Sequence, residues 1–394
     1  MSKNANHNPG RRRAIRLIGG GVVLASTGLA GCSTNYPELA VRPWYAPADE
    51  ADMRRFMLAH ALLAPNPHNR QPWLADLRRK DEITLVCDGD RLLPETDPFG
   101  RQILIGCGAF IELAVIAAAE RGYRVRVEAF PEGEPASKDL PGGSIVARLV
   151  LSADSSMQRD PLFAQIRRRR TNKNTYDNTR QLPASLWSQF ASIANAYGLV
   201  TGEVSDSARR EQIRKLTRAS FETEMTTSRT WLETAHLLRV GPAEIEQHRD
   251  GIGIMGNMPR LLNSIGMFDR FETPAPGSAG YQRVMERWLP FETGSGYFWI
   301  ASNGNSRRSQ FDCGRAYVRA HLQATANGVD MHPLSQALQE FAEVRPQYDA
   351  LYPLLGLDPA RNTIQMLTRV GYGIVVAQPT PRRDLAQMIK VSLV

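Results

Sequence analysis

The sequence predicts an α+β chain of two related halves, each a mostly antiparallel sheet packed with helices. Three observations lead there. Two apolar helices carry the same end signals: Cys107-Gly108 is followed by Ala118 and Gly122, and Cys313-Gly314 by Ala324 and Gly328. The Cys-to-Gly interval is fifteen and the Gly-to-Ala interval ten in both, and a terminal glycine suits a left-handed helix cap. Short β-prone runs bounded by Gly, Pro, Asn and Asp flank each helix, as strands do. A composition of 42% hydrophobic and 22% charged residues over 394 positions excludes a disordered or fibrous chain.

The elements follow in order. Residues 33–50 read as an extended, proline-containing tether. Asp49 caps a helix over 50–64, with Met53, Phe56, Met57, His60 and Leu63 on one face. Three prolines and two asparagines make 65–72 a loop. Strands are expected near 73–78 and 82–87. Asp97-Pro98 opens the apolar helix 99–121. Strands 123–130 and 144–152 are joined by a long hairpin tip rich in Pro, Gly and Glu. The polar stretch 153–160 marks the boundary between a first half, 33–155, and a second half, 156–394. The second half opens with a helix over 161–168 and a helical block over 184–250. Residues 251–296, rich in Gly, Met and Pro, form a lid-like excursion. A strand over 297–301, a helix over 310–327, a helix near 333–342 and strands near 363–377 complete it. The paired helices are expected to pack as equivalent partners, like the core of a homodimer fused into one chain. No spanning helix is expected in the body.

The formal charge of +8 invites a nucleic-acid reading. Residues 1–32, however, hold five basic residues and no acidic one, which leaves 43 basic against 40 acidic, or +3. Nucleic acid is therefore not an expected partner. The same segment reads as an export signal. Arg11-Arg12-Arg13 precedes the apolar run 17–30, which ends Leu29-Ala30-Gly31-Cys32. Paired arginines resemble a twin-arginine signal, and the tetrad matches a bacterial lipobox. The expectation is cleavage before Cys32, lipidation of Cys32, and anchoring on the periplasmic side. Ser33 favours the outer membrane. Cys87, Cys107 and Cys313 show no metal-ligand spacing and no disulfide framework.

Two strings carry chemistry. In Pro67-His68-Asn69-Arg70-Gln71-Pro72-Trp73, Asn69 and Gln71 can point amides in one direction, and amides suit the edge of a heteroaromatic ring. The same amides could equally satisfy a turn. In Arg167-Arg168-Arg169-Arg170-Thr171-Asn172-Lys173, five cations and a hydroxyl favour a phosphate over a solvated helix end. Gly251-Ile252-Gly253-Ile254-Met255-Gly256 has dinucleotide-loop spacing but follows a polar, helix-like stretch, which argues against that use. His321 lies in an apolar helix and reads as a satisfied core histidine.

These strings resemble the nitroreductase superfamily of FMN-dependent oxidoreductases. Asn69-Arg70-Gln71-Pro72-Trp73 fits its N-x-Q-P-W flavin loop, which brings His68 into the candidate set. Arg169, Arg170, Thr171 and Lys173 resemble its ribityl-phosphate segment, and Pro381-Arg382-Arg383 its C-terminal basic segment. Leu334-Ser335 falls where the family offers a backbone N–H to flavin N5. Asp97-Pro98, Arg101 and Cys107-Gly108 look like the Acg-type branch, in which one chain contains both halves. The resemblance implies FMN as cofactor, NAD(P)H as family-default donor, an unnamed small acceptor and no catalytic side chain of the protein's own. In ordinary members the arginine segment precedes the loop; here the order is reversed. The first half keeps the loop and the second the arginines, which implies one composite pocket, one FMN per chain and a pseudo-dimeric monomer. The alternatives are a flavoprotein that sequesters FMN under a closed lid, and a basic-patch protein without a cofactor.

Overall fold

The computed structural model describes residues 35–45, 50–256 and 269–390. Cys32, the arginines before it and the expected Asp49 cap lie outside the described residues. The chain is α+β, with two main sheets and two long central helices.

Helix α1 (Glu38–Val41) and a 3-10 turn, Arg42–Trp44, replace the expected extended tether. Helix α2 (Met53–Ala61) starts later than expected, because Asp52 accepts from Arg54 N at 2.8 Å and caps it. Strands β1 (Trp73–Asp76) and β2 (Glu82–Cys87) lead into α3 (Arg101–Glu120). Asp97 accepts from the N–H groups of Gln102 and Ile103 at 3.1 and 2.9 Å and so fixes the α3 start. Strands β3 (Tyr123–Ala129) and β4 (Ile145–Ala153) complete the first run. By length and composition α3 could cross a membrane, contrary to the sequence expectation, but it is buried in the core.

The expected helix at 161–168 is a 3-10 turn, Pro161–Gln165. The block 184–250 is not wholly helical. It comprises α4 (Ala184–Asn195), β5 (Val200–Val204), α5 (Ser207–Thr226), α6 (Ser228–Leu237), β6 (Leu238–Val240) and α7 (Gly241–His248). Within 251–296 lie β7 (Ile252–Ile254), α8 (Ala279–Glu286) and a 3-10 turn, Leu289–Glu292. Then come β8 (Gly296–Asn303), α9 (Arg307–Ala326) and β9 (Asp330–Pro333). The helix expected near 333–342 is instead the end of β9 and a 3-10 turn, Ser335–Leu338. The unforeseen α10 (Arg345–Leu355) precedes β10 (Asn362–Gly371), and α11 (Leu385–Met388) leads into β11 (Ile389–Lys390).

The first sheet has the order β11-β1-β2-β4-β3 and the second β5-β8-β10-β9. Every pair in them is antiparallel except β1 with β11, in which Ile389–Lys390 joins the sheet that holds β1–β4. Helices α3 and α9 cross between the sheets at their glycines. A Cβ on Gly108 would stand 2.0 Å from the Phe311 carbonyl oxygen, and one on Gly314 would stand 1.9 Å from that of Ile105. Phe311 is to Ile105 as Cys313 is to Cys107, so the two close approaches exchange under the sequence offset that relates those cysteines. Both helices end at glycines of positive φ, Gly122 at 72° and Gly328 at 67°. Arg101, fully buried, donates to the Ile364 carbonyl at 2.7 Å and pairs with Glu340 at 3.0 Å, tying α3 to the second half.

Candidate functional site

The loop between α2 and β1 is strained. His68, Asn69 and Gln71 have φ of 46°, 52° and 53°, a region that non-glycine residues seldom occupy. The surroundings hold it. Asn66 Oδ1 accepts from Gln71 N at 2.7 Å. Asn69 Nδ2 donates to the Pro381 carbonyl at 3.0 Å, and its Oδ1 accepts from Arg382. Gln71 Oε1 accepts from Arg383 N at 2.9 Å, while its Nε2 donates to the Arg249 carbonyl at 2.8 Å. The amides expected to face a ring are thus spent on the chain itself, on the C-terminal segment and on residues 249–251, whose Gly251 N–H also donates to the Asn69 carbonyl at 3.3 Å. Arg383 completes this seam by donating to the Gln71 carbonyl at 2.7 Å.

Beside the loop the structure gathers cations. Arg169 donates through Nη2 to the Leu63 carbonyl at 2.8 Å, and Arg382 through its Nη2 to the Leu63 and Ala64 carbonyls, each at 3.3 Å. Arg170 lies with them and bonds the Arg167 and Arg169 carbonyls at 2.7 and 2.8 Å. Among the described residues no carboxylate pairs with Arg169, Arg170 or Arg382. Arg169 Nε and Nη1 and Arg382 Nε are buried and bond to no protein atom. Burial lowers the Arg169 pKa to about 10, with Arg170 adding repulsion. Burial also pushes Arg382 well below its ordinary value, with Arg169 and Arg170 adding to the effect. Leaving such donors unpaired is costly, so this geometry fits an anion with several acceptor oxygens. Arg167 turns instead to His60, and Arg168 is exposed.

Thr171 pairs its backbone with Met331 of β9, and His321 Nε2 stands 2.9 Å from the Arg170 carbonyl. His321 is therefore the satisfied core histidine expected, and it anchors the arginine run. Lys173 stays solvent-accessible although ringed by protein, and desolvation lowers its pKa. It feels Glu224 of α5. Glu224 Oε1 lies 3.6 Å from His68 Nε2, and Glu224 Oε2 and His68 Nδ1 have no protein partner. Desolvation raises Glu224 to about 7 and lowers His68 to about 4, so near neutrality the imidazole carries no charge.

The Leu334 N–H donates to the Leu367 carbonyl at 2.8 Å, so it is not the donor the resemblance assigns to that pair of residues. Ser335 opens the turn beside it, with Gln102 Nε2 3.4 Å from its carbonyl. Within the glycine-spaced run at 251–256, Ile252–Ile254 forms β7, parallel to β6. Sequence reasoning missed Glu224, Asn66 and Trp44. The last stands over the arginines at 4.0 Å from Arg170 and 5.1 Å from Arg382.

No family model matches the chain. It is 27% identical over 348 residues to a Mycobacterium tuberculosis (strain H37Rv) protein provisionally named an NAD(P)H nitroreductase, covering 86% of this chain and 92% of that one. A second protein of that organism, acg, provisionally named likewise, is 41% identical over 71 residues, 18% of this chain and 21% of its own length. Among solved structures, the FMN-dependent nitroreductase NfnB of Mycobacterium smegmatis in complex with NADPH matches 58% of this chain and 96% of its own, with a TM-score of 0.37 at 15% identity. A Bacteroides fragilis nitroreductase with bound FMN matches 59% and 99%, with a TM-score of 0.35 at 13% identity.

Proposed function

We propose that this chain is an FMN-binding oxidoreductase of nitroreductase type, taking electrons from a reduced nicotinamide nucleotide and passing them to a small acceptor. The observation that carries the reading is the cluster of buried Arg169 and Arg382 with half-buried Arg170, which pairs with no carboxylate among the described residues and adjoins the strained Asn69–Gln71 loop. The relative named for NAD(P)H-dependent nitro reduction supports it over most of the chain.

In this reading the three arginines hold the ribityl phosphate. The His68–Gln71 loop, Lys173 and Ser335 bound the space for the ring. Bound there, FMN supplies two-electron hydride chemistry that no amino-acid side chain offers. The chain's own part is to bind, orient and shield. Segment 249–254, bonded to the loop, screens this edge from water. Neutral His68 offers a donor and an acceptor without charge, and Glu224, raised to about 7, can hold or release a proton near neutrality. The bonds that lay 249–251 on the loop also favour the second reading, a closed flavoprotein that stores FMN. Titration of the purified chain should saturate at one FMN per chain, and NADPH added without oxygen should bleach the flavin absorbance. Two FMN per chain would overturn the composite pocket. A bound flavin that NADPH and NADH both leave oxidised would favour storage.

We also propose that the chain is exported and anchored through Cys32, on the periplasmic side of a bacterial membrane. Labelled palmitate should mark the parent and spare Cys32→Ala. Equal labelling of both would remove the anchor from this account.

A further inference from the structure

The segment before residue 46 is built into the cation cluster. Trp44 is 2% exposed, and its indole N–H donates to the Thr380 carbonyl at 2.7 Å. Its ring lies 4.0 Å from the guanidinium carbon of Arg170, 5.1 Å from that of Arg382 and 5.7 Å from that of Arg169. The Ala40 carbonyl accepts from Arg382 N at 2.8 Å, and Arg42 pairs with Asp384 at 3.2 Å. At the other end Tyr36 donates its O–H to the Gly253 carbonyl at 3.4 Å. A Cβ on Gly253 would come within 2.6 Å of the Tyr36 ring. The segment therefore runs from the stretch that covers the loop to the arginines beside it.

The chemistry of that arrangement is specific. Three guanidinium groups brought together out of water repel one another. A carboxylate would quiet the repulsion, but it would neutralise the cluster and occupy its donors. An indole face attracts cations through its quadrupole and accepts none of their in-plane N–H bonds. It steadies the cluster and leaves the charge and the free donors for an incoming dianion. We propose that Tyr36–Trp44 is a strap that completes a phosphate-monoester site, with Trp44 as the positioning residue that preorganises Arg169, Arg170 and Arg382. The proposal rests on the flavin reading only for the identity of the monoester.

The test uses the purified chain, with FMN and riboflavin titrated by flavin fluorescence. Trp44→Leu keeps apolar volume and loses the ring face, and it should weaken FMN about tenfold while riboflavin binding holds. Trp44→Phe keeps a ring and should stay within about threefold of the parent for both. Trp44→Leu binding FMN as tightly as the parent, or losing both ligands equally, would overturn the proposal. Should Trp44→Leu not fold, a Tyr36→Phe, Arg42→Ala chain removes the strap's polar ties to Gly253 and Asp384 and keeps the ring of residue 36 packed on the core. Its FMN should leave several times faster than the parent's, and an unchanged release rate would overturn the strap. If the parent takes up no flavin, the flavin reading falls but the strap does not. Inorganic phosphate must then bind the parent and bind Trp44→Leu about tenfold less tightly, and a parent indifferent to phosphate overturns the site itself.

Discussion

Arg169→Ala should weaken FMN about ten- to hundredfold and leave riboflavin nearly unchanged. Each charge-assisted contact is worth about 1.5–3 kcal/mol, and riboflavin lacks the phosphate that would make it. Arg169 should lose most, because two of its nitrogens, Nε and Nη1, bond to no protein atom. Arg382→Ala should follow closely. It also leaves Asn69 Oδ1 without its donor and takes one of two donors from each of the Leu63 and Ala64 carbonyls, so part of its loss will appear as lower stability of the flavin-free chain. Arg170→Ala should cost least, since Arg170 Nη1 already serves two backbone carbonyls. The double variant Arg169→Ala, Arg382→Ala should lose less than the product of the single losses, because the two groups share a site and Arg169 repels Arg382. Paired titrations with FMN and riboflavin read all of this. Equal losses for the two ligands would place the cluster away from the phosphate.

Much of this site was legible in the sequence, though not the use made of each side chain. Asn69, Gln71, Arg382 and Arg383 meet in one seam with Arg169 beside it, and the strings that resemble the family contain all five. Yet the Gln71 amide serves Arg383 and Arg249, which lie 312 and 178 positions away, and no local pattern reports partners so distant. Trp44 was invisible for a related reason. It follows Pro43 in a stretch that reads as a linker, and only the folded chain brings residue 380 to its indole. Glu224 carries no mark within α5, where charged residues abound. In the fold, the long helices were plain because both end at a glycine after an apolar run. Helix α10 was missed because Pro346 and Pro353 look like breakers. Pro346 lies in the first turn, where its missing N–H would have had no partner in any case. The turn at 335–338 was mistaken for a helix because apolar periodicity cannot show that Leu334 has committed its N–H to β10.

Gly108→Ala and Gly314→Ala should each cost several kcal/mol of stability, and by similar amounts. A methyl group at Gly108 would sit 2.0 Å from one carbonyl oxygen, and at Gly314 1.9 Å from another and 2.8 Å from the Ala109 nitrogen. These obstacles are backbone on a facing helix, so no rotamer change relieves them. The helices must part by more than an ångström along a fully packed seam. Overpacking of that kind costs about 1–3 kcal/mol where side chains can yield, and more where backbone must move. For a chain of this size each substitution should lower the melting temperature by roughly 5 °C. The control is Gly280→Ala in α8. Its Cβ would meet only the Ser278 hydroxyl at 3.7 Å, and alanine suits a helix better than glycine. It should melt at or slightly above the parent. The comparison between the two crossing glycines carries the structural point. Gly108 meets Phe311 and Gly314 meets Ile105, positions that exchange under the interval relating Cys107 to Cys313, so a two-fold relation between the halves requires matched losses. A Gly108→Ala chain that melts with the parent would show that α3 and α9 can separate freely. A large loss at one glycine and none at the other would show that the crossing is not symmetric in energy, whatever its geometry.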